Sequence, residues 1–280
     1  MISVENVSFH YPGSSETLHD ISLKIDDGEF VAIMGENGAG KTTLVKLFNG
    51  LLKPDSGSVL IDNVNSRDRS VAELSRQVGL IFQNPDHQLF AETVGEELRF
   101  SLKNFGFEES GIENRVTSLL TALDIEKYVN ASPFMLSGGE RKRVALASIL
   151  VWDPKHVVMD EPTIGQDYLQ KDRLRKFIIQ LISQKKAVIV VTHDTEFVAE
   201  CKPRVVLMSK GKIIADGPAK SILTDQTVVE EASLVLPQMT QLMMSIPELH
   251  APDDIIDVYA ARKFLLQALT ERAETRRESR

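Results

Sequence analysis

The residues best suited to chemistry in this 280-residue chain sit in two short stretches. The first is GENGAGKTT, Gly35 to Thr43, which fits the pattern G-x-x-x-x-G-K-[ST] in full. Its glycines let successive backbone N–H groups wrap a phosphate, Lys41 can reach the β and γ oxygens, and the Thr42 hydroxyl can ligate Mg²⁺. The loop residues Gly35, Asn37, Gly38, Ala39, Gly40, Lys41, Thr42 and Thr43 are therefore the expected phosphate cradle. The second stretch, MLSGGERKRVALAS, begins roughly a hundred residues later at Met135. There Ser137, Gly138 and Gly139 lead into a helical pattern, and the positive end of a helix offers free N–H groups to an anion. One chain thus carries two starts of helices fit for phosphate.

Four apolar strands deliver the remaining polar candidates. EFVAIM runs into the phosphate loop, VGLIF into Gln83, HVVM into Asp160 and Glu161, and AVIVVT into His193. Ligands of open parallel sheets bind beyond the carboxyl ends of the strands, so these groups should share one edge. Asp160 is placed as a magnesium carboxylate, and Glu161 beside it as a general base for water. A surface turn would explain an Asp-Glu pair standing alone, but not one downstream of a full phosphate loop. His193 can be a hydrogen-bonded structural histidine or a γ-phosphate contact; its place beside the carboxylates favours the contact. Gln83 can simply end a strand, or its amide can ligate Mg²⁺ and hold water. The other histidines, His10, His19, His87, His156 and His250, lack metal-ligand spacing and are assigned no catalytic role.

The elements that must position these groups alternate. MISVENVSF and ISLKI read as strands around the turn-rich YPGSSE, and SVLID as another. Helical spacing covers Lys41 to Phe48. From about 84 to 152 the period becomes helical throughout, in TVGEELRFSLKNF, ENRVTSLLTAL and GGERKRVALASILV. Strand HVVMD, helix Tyr168 to Ile182, strand AVIVVT, a short helix and strand RVVLM follow. Near-continuous apolar strands alternating with helices predict an α/β fold, its sheet covered on both faces. After about Leu223 a small helical region is expected. Ile255, Val258, Ala261, Leu265 and Leu269 would share one face, and Met239, Leu242 and Met243 another, with Pro237 starting that helix. Both stripes can be core, or one can be a dimer face. The charged ERAETRRESR is expected to fray.

Composition narrows the function classes. Hydrophobic residues make up 42% and charged residues 26%, as in ordinary globular proteins. The formal net charge of -8 counts against a nucleic-acid binder, which usually shows a basic surplus. The lone cysteine, Cys201, cannot form an internal disulfide or a cysteine-rich zinc site, and fits a reducing cytosol as a small core residue. No charged-then-apolar leader is expected at Met1, and no apolar run approaches the roughly 18 residues that span a bilayer. Work at a membrane would proceed through a partner.

Taken in order, GENGAGKTT, Gln83, LSGGE, VVMDEPT, GQD and VVTHD resemble the ATPases of ABC transporters, over residues 1 to about 223. The resemblance implies a P-loop NTPase core with a mixed, mainly parallel sheet. It adds an antiparallel β subdomain, a helical subdomain at about 84–152, and ATP with Mg²⁺ as cofactors. Metal ligands would be Thr42, Gln83 and Asp160; catalytic groups would be Lys41, Gln83, Glu161 and His193. Tyr11, on sequence alone equally a strand-end core residue, would stack on adenine. Ser137, Gly138 and Gly139 would bind a γ-phosphate, and Asp167 would signal between sites. In that family two ATPase subunits meet head to tail, and the signature of one closes over the ATP of the other. The two anion sites of one chain would thus serve two ATP molecules.

A finer resemblance is to ATPase subunits of energy-coupling factor transporters, including cobalt and nickel importers. FQNPDHQLF, SPFMLSGGERKRVALASIL and LPQMTQLM carry it. It implies a C-terminal helical dimerisation domain at 224–280 and a transmembrane coupling protein docked beside Asp86, His87 and Gln88. It also implies separate substrate-binding membrane proteins, a second ATPase subunit, and a peripheral place on the cytoplasmic face of the cell membrane. The expected function is ATP-driven uptake of a vitamin or transition-metal ion. On residues alone, the rival for NPDHQ is an ordinary helix start capped by Asp86. Glu140 stands where glutamine is commoner, and Gln166 where leucine is common; neither removes a phosphate contact. Rival functions are another ABC importer or exporter ATPase, and a soluble ABC ATPase acting on nucleic acid. The second is disfavoured by a single cassette, by net acidity and by the short spacing between loop and signature.

Overall fold

A computed structural model describes residues 1–13 and 16–278, apart from the side chains of residues 16 and 271–278. The first strands, β1 (Ile2–His10) and β2 (Glu16–Ile25), form an antiparallel pair. Next come β3 (Phe30–Met34), α1 (Lys41–Phe48), β4 (Ser56–Ile61), β5 (Val64–Asn65), α2 (Val71–Ser75) and β6 (Val78–Ile81). The helical insert contains α3 (Val94–Asn104), α4 (Glu109–Ala122) and α5 (Gly138–Leu150). The chain returns through β7 (His156–Asp160), α6 (Tyr168–Ser183), β8 (Ala187–Thr192), α7 (Thr195–Cys201), β9 (Arg204–Ser209) and β10 (Lys212–Pro218). Helices α8 (Ala219–Ile222), α9 (Gln226–Glu231), α10 (Gln238–Met244) and α11 (Val258–Glu278) complete it.

The strands sort into two sheets. One is antiparallel, in the order β2-β1-β4-β5; the other runs β10-β9-β3-β8-β7-β6. In the second, β9, β3, β8, β7 and β6 are parallel, and β10 turns back against β9 to close one edge. Alternation decides which face each residue of the central strands serves. Val158, Ile189 and Val191 join a core with α1 and the antiparallel sheet, while Val157, Met159, Val188 and Val190 face the helical insert. Burial on both faces explains why β7 and β8 read as unbroken apolar runs. Helix α1 lies in the first core, with Leu44, Val45, Leu47 and Phe48 fully buried, which fixes the loop preceding it.

The C-terminal region departs from the expected stripes. Ile255 is buried, but α11 begins only at Val258, because the Asp257 carboxylate accepts the Tyr259 and Ala260 N–H groups and starts the helix there. Val258 and Leu269 are exposed, whereas Ala261, Phe264 and Leu265 pack near Met243. Leu242 likewise points outward, leaving Met243 and the half-buried Met239 as the inward residues of α10. Val229, Ala232, Leu236 and Ile256 share a core with β9 and α7. Among the described residues, Met243, Ile255 and Ala261 and their neighbours form a separate small cluster. The backbone of α11 runs through the charged tail to Glu278; residues 279–280, like Ser14 and Ser15 of the expected turn, lie outside the described residues.

Candidate functional site

The parallel ladder sets β3, β8, β7 and β6 side by side, so the residues that follow them reach the same edge. A cavity of about 300 Å³ opens there, lined by Tyr11, Asn37, Gly38, Gly40, Lys41, Thr42, Thr43, Gln83 and Glu161, together with Thr17. The sequence reading missed Thr17: its backbone carbonyl lies 3.1 Å from where a Cβ on Gly40 would be, and only the folding of β2 over the loop brings it close.

The loop holds its shape through glycine backbone conformations and the lysine. Gly35 has φ +146°, and a Cβ there would sit 2.1 Å from the Met208 carbonyl oxygen on β9. Gly40, at φ +97°, precedes α1 without a side-chain cap, so the first N–H groups of that helix stay available to an anion. Lys41 is buried and its Nζ donates to the Gly35 and Glu36 carbonyls at 2.7 and 2.8 Å. Burial lowers its pKa, against the pull of the Glu161 and Asp160 carboxylates. An ammonium has three donors, so one remains for a phosphate.

The carboxylates divide their tasks by geometry. Asp160 Oδ2 accepts the Thr42 hydroxyl at 2.8 Å, while its Oδ1 is buried with no hydrogen-bond partner. Burial is also the main cause of its raised pKa. A buried oxygen without a donor is costly unless something else satisfies it. With the Thr42 hydroxyl alongside, the donor set is all oxygen, which suits a hard cation such as Mg²⁺. Glu161 adopts φ +48°, held there by its N–H to the Val191 carbonyl at 2.8 Å. Its Oε1 meets His193 Nδ1 at 2.9 Å and its Oε2 has no partner. His193 is half exposed, so the buried carboxylate is linked through it to solvent. Tyr11 brings its ring edge-on to Phe9, 5.0 Å between centroids, with its hydroxyl 3.3 Å from Thr43 Oγ1.

The remaining sequence candidates lie elsewhere. None of residues 137–139 lines the loop's cavity. Ser137 caps α5 in a reciprocal box with Glu140, and Gly138 faces open space. Asp167 caps α6 and is exposed, its Oδ1 accepting Gln170 N–H at 2.8 Å. Gly139 packs on the Gln170 side chain, and the Lys142 ammonium donates to the Ile164 carbonyl, so the start of α5 is tied to the loop that carries Asp167. A second cleft of about 470 Å³ runs between α5, α6 and β7 and also reaches Gln83 and Asp160. Beyond Gln83, Asn84 rather than Asp86 caps the short turn Pro85–His87, since its Oδ1 accepts the Asp86 N–H at 3.0 Å. Asp86 pairs with Arg141 at 2.7 Å, and Gln88 turns inward onto α5 through Ala145 O and Ser148 Oγ. Of the three residues expected to face a membrane partner, His87 alone makes no such tie to α5.

Outside this edge, Asp27, Asp62 and His156 converge within 4.8 Å. Lys155 bridges both carboxylates at 2.9 and 2.7 Å and the Met1 ammonium pairs with both as well, so two cations already balance the two carboxylates. Burial pushes the Cys201 thiol up to about 12, leaving it inert.

Comparison with known proteins sets this geometry in a family. Residues 18–164 match the family model described as ABC transporter. The chain is 36% identical to the energy-coupling factor transporter ATP-binding protein EcfA2 of Clostridium tetani, over 97% of this chain and 98% of that protein. It is 39% identical to EcfA2 of Acetivibrio thermocellus, over 94% and 97%. Among solved structures, CbiO1 of Clostridium perfringens, part of the CbiONQ transporter complex, superposes with a TM-score of 0.74 at 34% identity, covering 87% of this chain and 98% of that one. A dimeric ATP-binding cassette bound to ADP and Pi gives 0.70 at 28% identity, over 78% and 99%. The fold and site are those of a P-loop ATPase, and the chain belongs to the ABC transporter family, as an energy-coupling factor ATP-binding protein. Among the described residues no helix is long and apolar enough to cross a membrane.

Proposed function

We propose that the edge of the parallel sheet binds Mg²⁺-ATP and hydrolyses it with Glu161 as general base, in a site completed by the signature of a second ATPase subunit. The observation that carries this reading is the pair of buried carboxylate oxygens without partners, Asp160 Oδ1 and Glu161 Oε2, beside a full phosphate loop. Gly35 to Thr43 cradle the phosphates, Lys41 neutralises the β and γ oxygens, and Tyr11 stacks on adenine. Thr42, Asp160 and Gln83 would hold Mg²⁺, which supplies charge neutralisation at the β and γ oxygens. Glu161 takes a proton from the attacking water as its oxygen bonds to the γ-phosphorus, and the bond to the ADP oxygen breaks. His193 orients Glu161 from one side and reaches the γ-phosphate from the other.

Ser137, Gly138 and Gly139 serve the ATP of the neighbouring subunit, and Asp167 relays between the two sites. ATP closes the pair and hydrolysis reopens it, a two-state element biased by ligand. The helical insert passes that motion to a transmembrane coupling protein, at the cytoplasmic face of the membrane. Residues 224–280 contribute to dimerisation. The cargo is a vitamin or transition-metal ion, selected by separate substrate-binding membrane proteins. Nucleic acid is not a partner, in keeping with the net charge of -8.

A tagged pull-down from detergent-solubilised membranes, with the bound proteins identified by mass, tests this. A coupling protein with small substrate-binding membrane proteins is the expected result. A conventional permease pair would move the chain to another importer class, and ribosomes or DNA alone would overturn the transport reading.

A further inference from the structure

The first turn of α5 holds a negative charge where the shared-site reading needs a phosphate. Ser137 Oγ donates to Glu140 Oε2 at 2.6 Å, and the Ser137 N–H donates to the same oxygen at 2.9 Å. The other oxygen, Oε1, accepts the Tyr128 hydroxyl. Both carboxylate oxygens are thus engaged, and the carboxylate stays fixed over the helix start. These bonds hold its pKa down at about 2, with those from Ser137 foremost, so it is charged at any physiological pH. The space beside Gly138 is open, since a Cβ there would meet nothing within 4 Å, and one on Gly139 would meet the Gln170 side chain. The Ser137 hydroxyl hydrogen, by contrast, is already given away.

We infer that Glu140 is a positioning residue that acts through Ser137 to keep the signature's grip on a partner's γ-phosphate weak. An arriving phosphate must take the Ser137 hydroxyl hydrogen from an ionised carboxylate that already holds it, and must sit beside a like charge. A glutamine in the same place would keep the cap on the Ser137 N–H, give up the hydroxyl more readily and remove the repulsion. Glu140 and Tyr128 therefore set how firmly ATP holds the closed pair, and so how readily it reopens. The inference rests on the shared-site reading given under Proposed function.

The test is ATP-dependent dimerisation, followed by sedimentation, in chains that carry Glu161→Gln to block hydrolysis. Adding Glu140→Gln should tighten the dimer by about tenfold at low salt. The gap to the Glu140 parent should narrow as salt screens the repulsion, which loss of a merely structural cap would not produce. Glu140→Ala, checked for folding by circular dichroism, should move the dimer constant in the same direction. An unchanged or weaker dimer in Glu140→Gln would overturn the inference, as would a gap indifferent to salt. Ser137→Arg in the same background separates the two ideas. If it abolishes the dimer while Glu140→Gln has no effect, the Glu140 inference alone fails; if Ser137→Arg dimerises normally, the shared site itself fails.

Discussion

Substituting Gly35 by alanine tests whether the loop's shape is fixed by close backbone approach. A Cβ at Gly35 would lie 2.1 Å from the Met208 carbonyl oxygen. A carbon–oxygen contact needs about 3.3 Å, so something must move by about 1 Å. Met208 lies on β9, which is held between β3 and β10, and it is fully buried, so the backbone atom cannot retreat cheaply. Overpacking of this kind costs about 1–3 kcal/mol, and forcing alanine to a φ of +146° adds about 1–3 kcal/mol. The sum, about 2–6 kcal/mol, is a large share of the 5–15 kcal/mol that stabilises an ordinary domain. Gly38 supplies the control. It also has positive φ, +89°, but a Cβ there meets nothing within 4 Å. Gly38→Ala should therefore cost only the backbone strain, about 1–2 kcal/mol. Urea denaturation of the two variants beside the parent measures the difference. If Gly35→Ala is no less stable than Gly38→Ala, the collision with β9 does not shape the loop and the reasoning is refuted.

Two further outcomes follow from buried polar groups. Gln88→Ala strips a partner from Phe82 N–H, Ala145 O and Ser148 Oγ, and should cost about 1–3 kcal/mol. Hydrogen exchange at the Phe82 and Gln83 amides should speed up, and unchanged exchange there would show that Gln88 does not tether the loop. His156 is fully buried, and burial holds its pKa down at about 4. Below about 6.5 the unfolded chain takes up a proton there that the folded chain refuses until about pH 4, so stability should fall as pH drops through that window, by at most about 3 kcal/mol. His156→Leu should flatten the slope in urea midpoints measured between pH 4.5 and 7; an unaltered slope would assign it to other groups.

The central sheet and the edge it builds were legible because β7 and β8 are buried on both faces, which leaves unbroken apolar runs that end in polar residues. The phosphate loop was legible because its glycines have positive φ that few other residues accept. Strand β10 was not expected. Its residues are half-buried edge positions, and its pairing with β9 is a tertiary fact. The C-terminal stripes read as core or as a dimer face; Val258, Leu269 and Leu242 are exposed on this chain, and Ile255 falls outside α11 because Asp257 starts that helix at Val258, which helical spacing alone does not show. The inward turn of Gln88 and the Asp86–Arg141 pair escaped notice for a similar reason. Their partners lie more than fifty residues away on α5, a distance no local pattern spans.

The most direct test of the central claim is ATP turnover and oligomeric state of Glu161→Gln. The substitution keeps the shape of the side chain and its contact to His193 while removing the base. Turnover should fall by about 10²–10³-fold or more, while ATP still binds and holds a stable dimer. Near-normal turnover would contradict the assignment of Glu161 as the base, and loss of ATP binding would contradict its separation from the phosphate cradle.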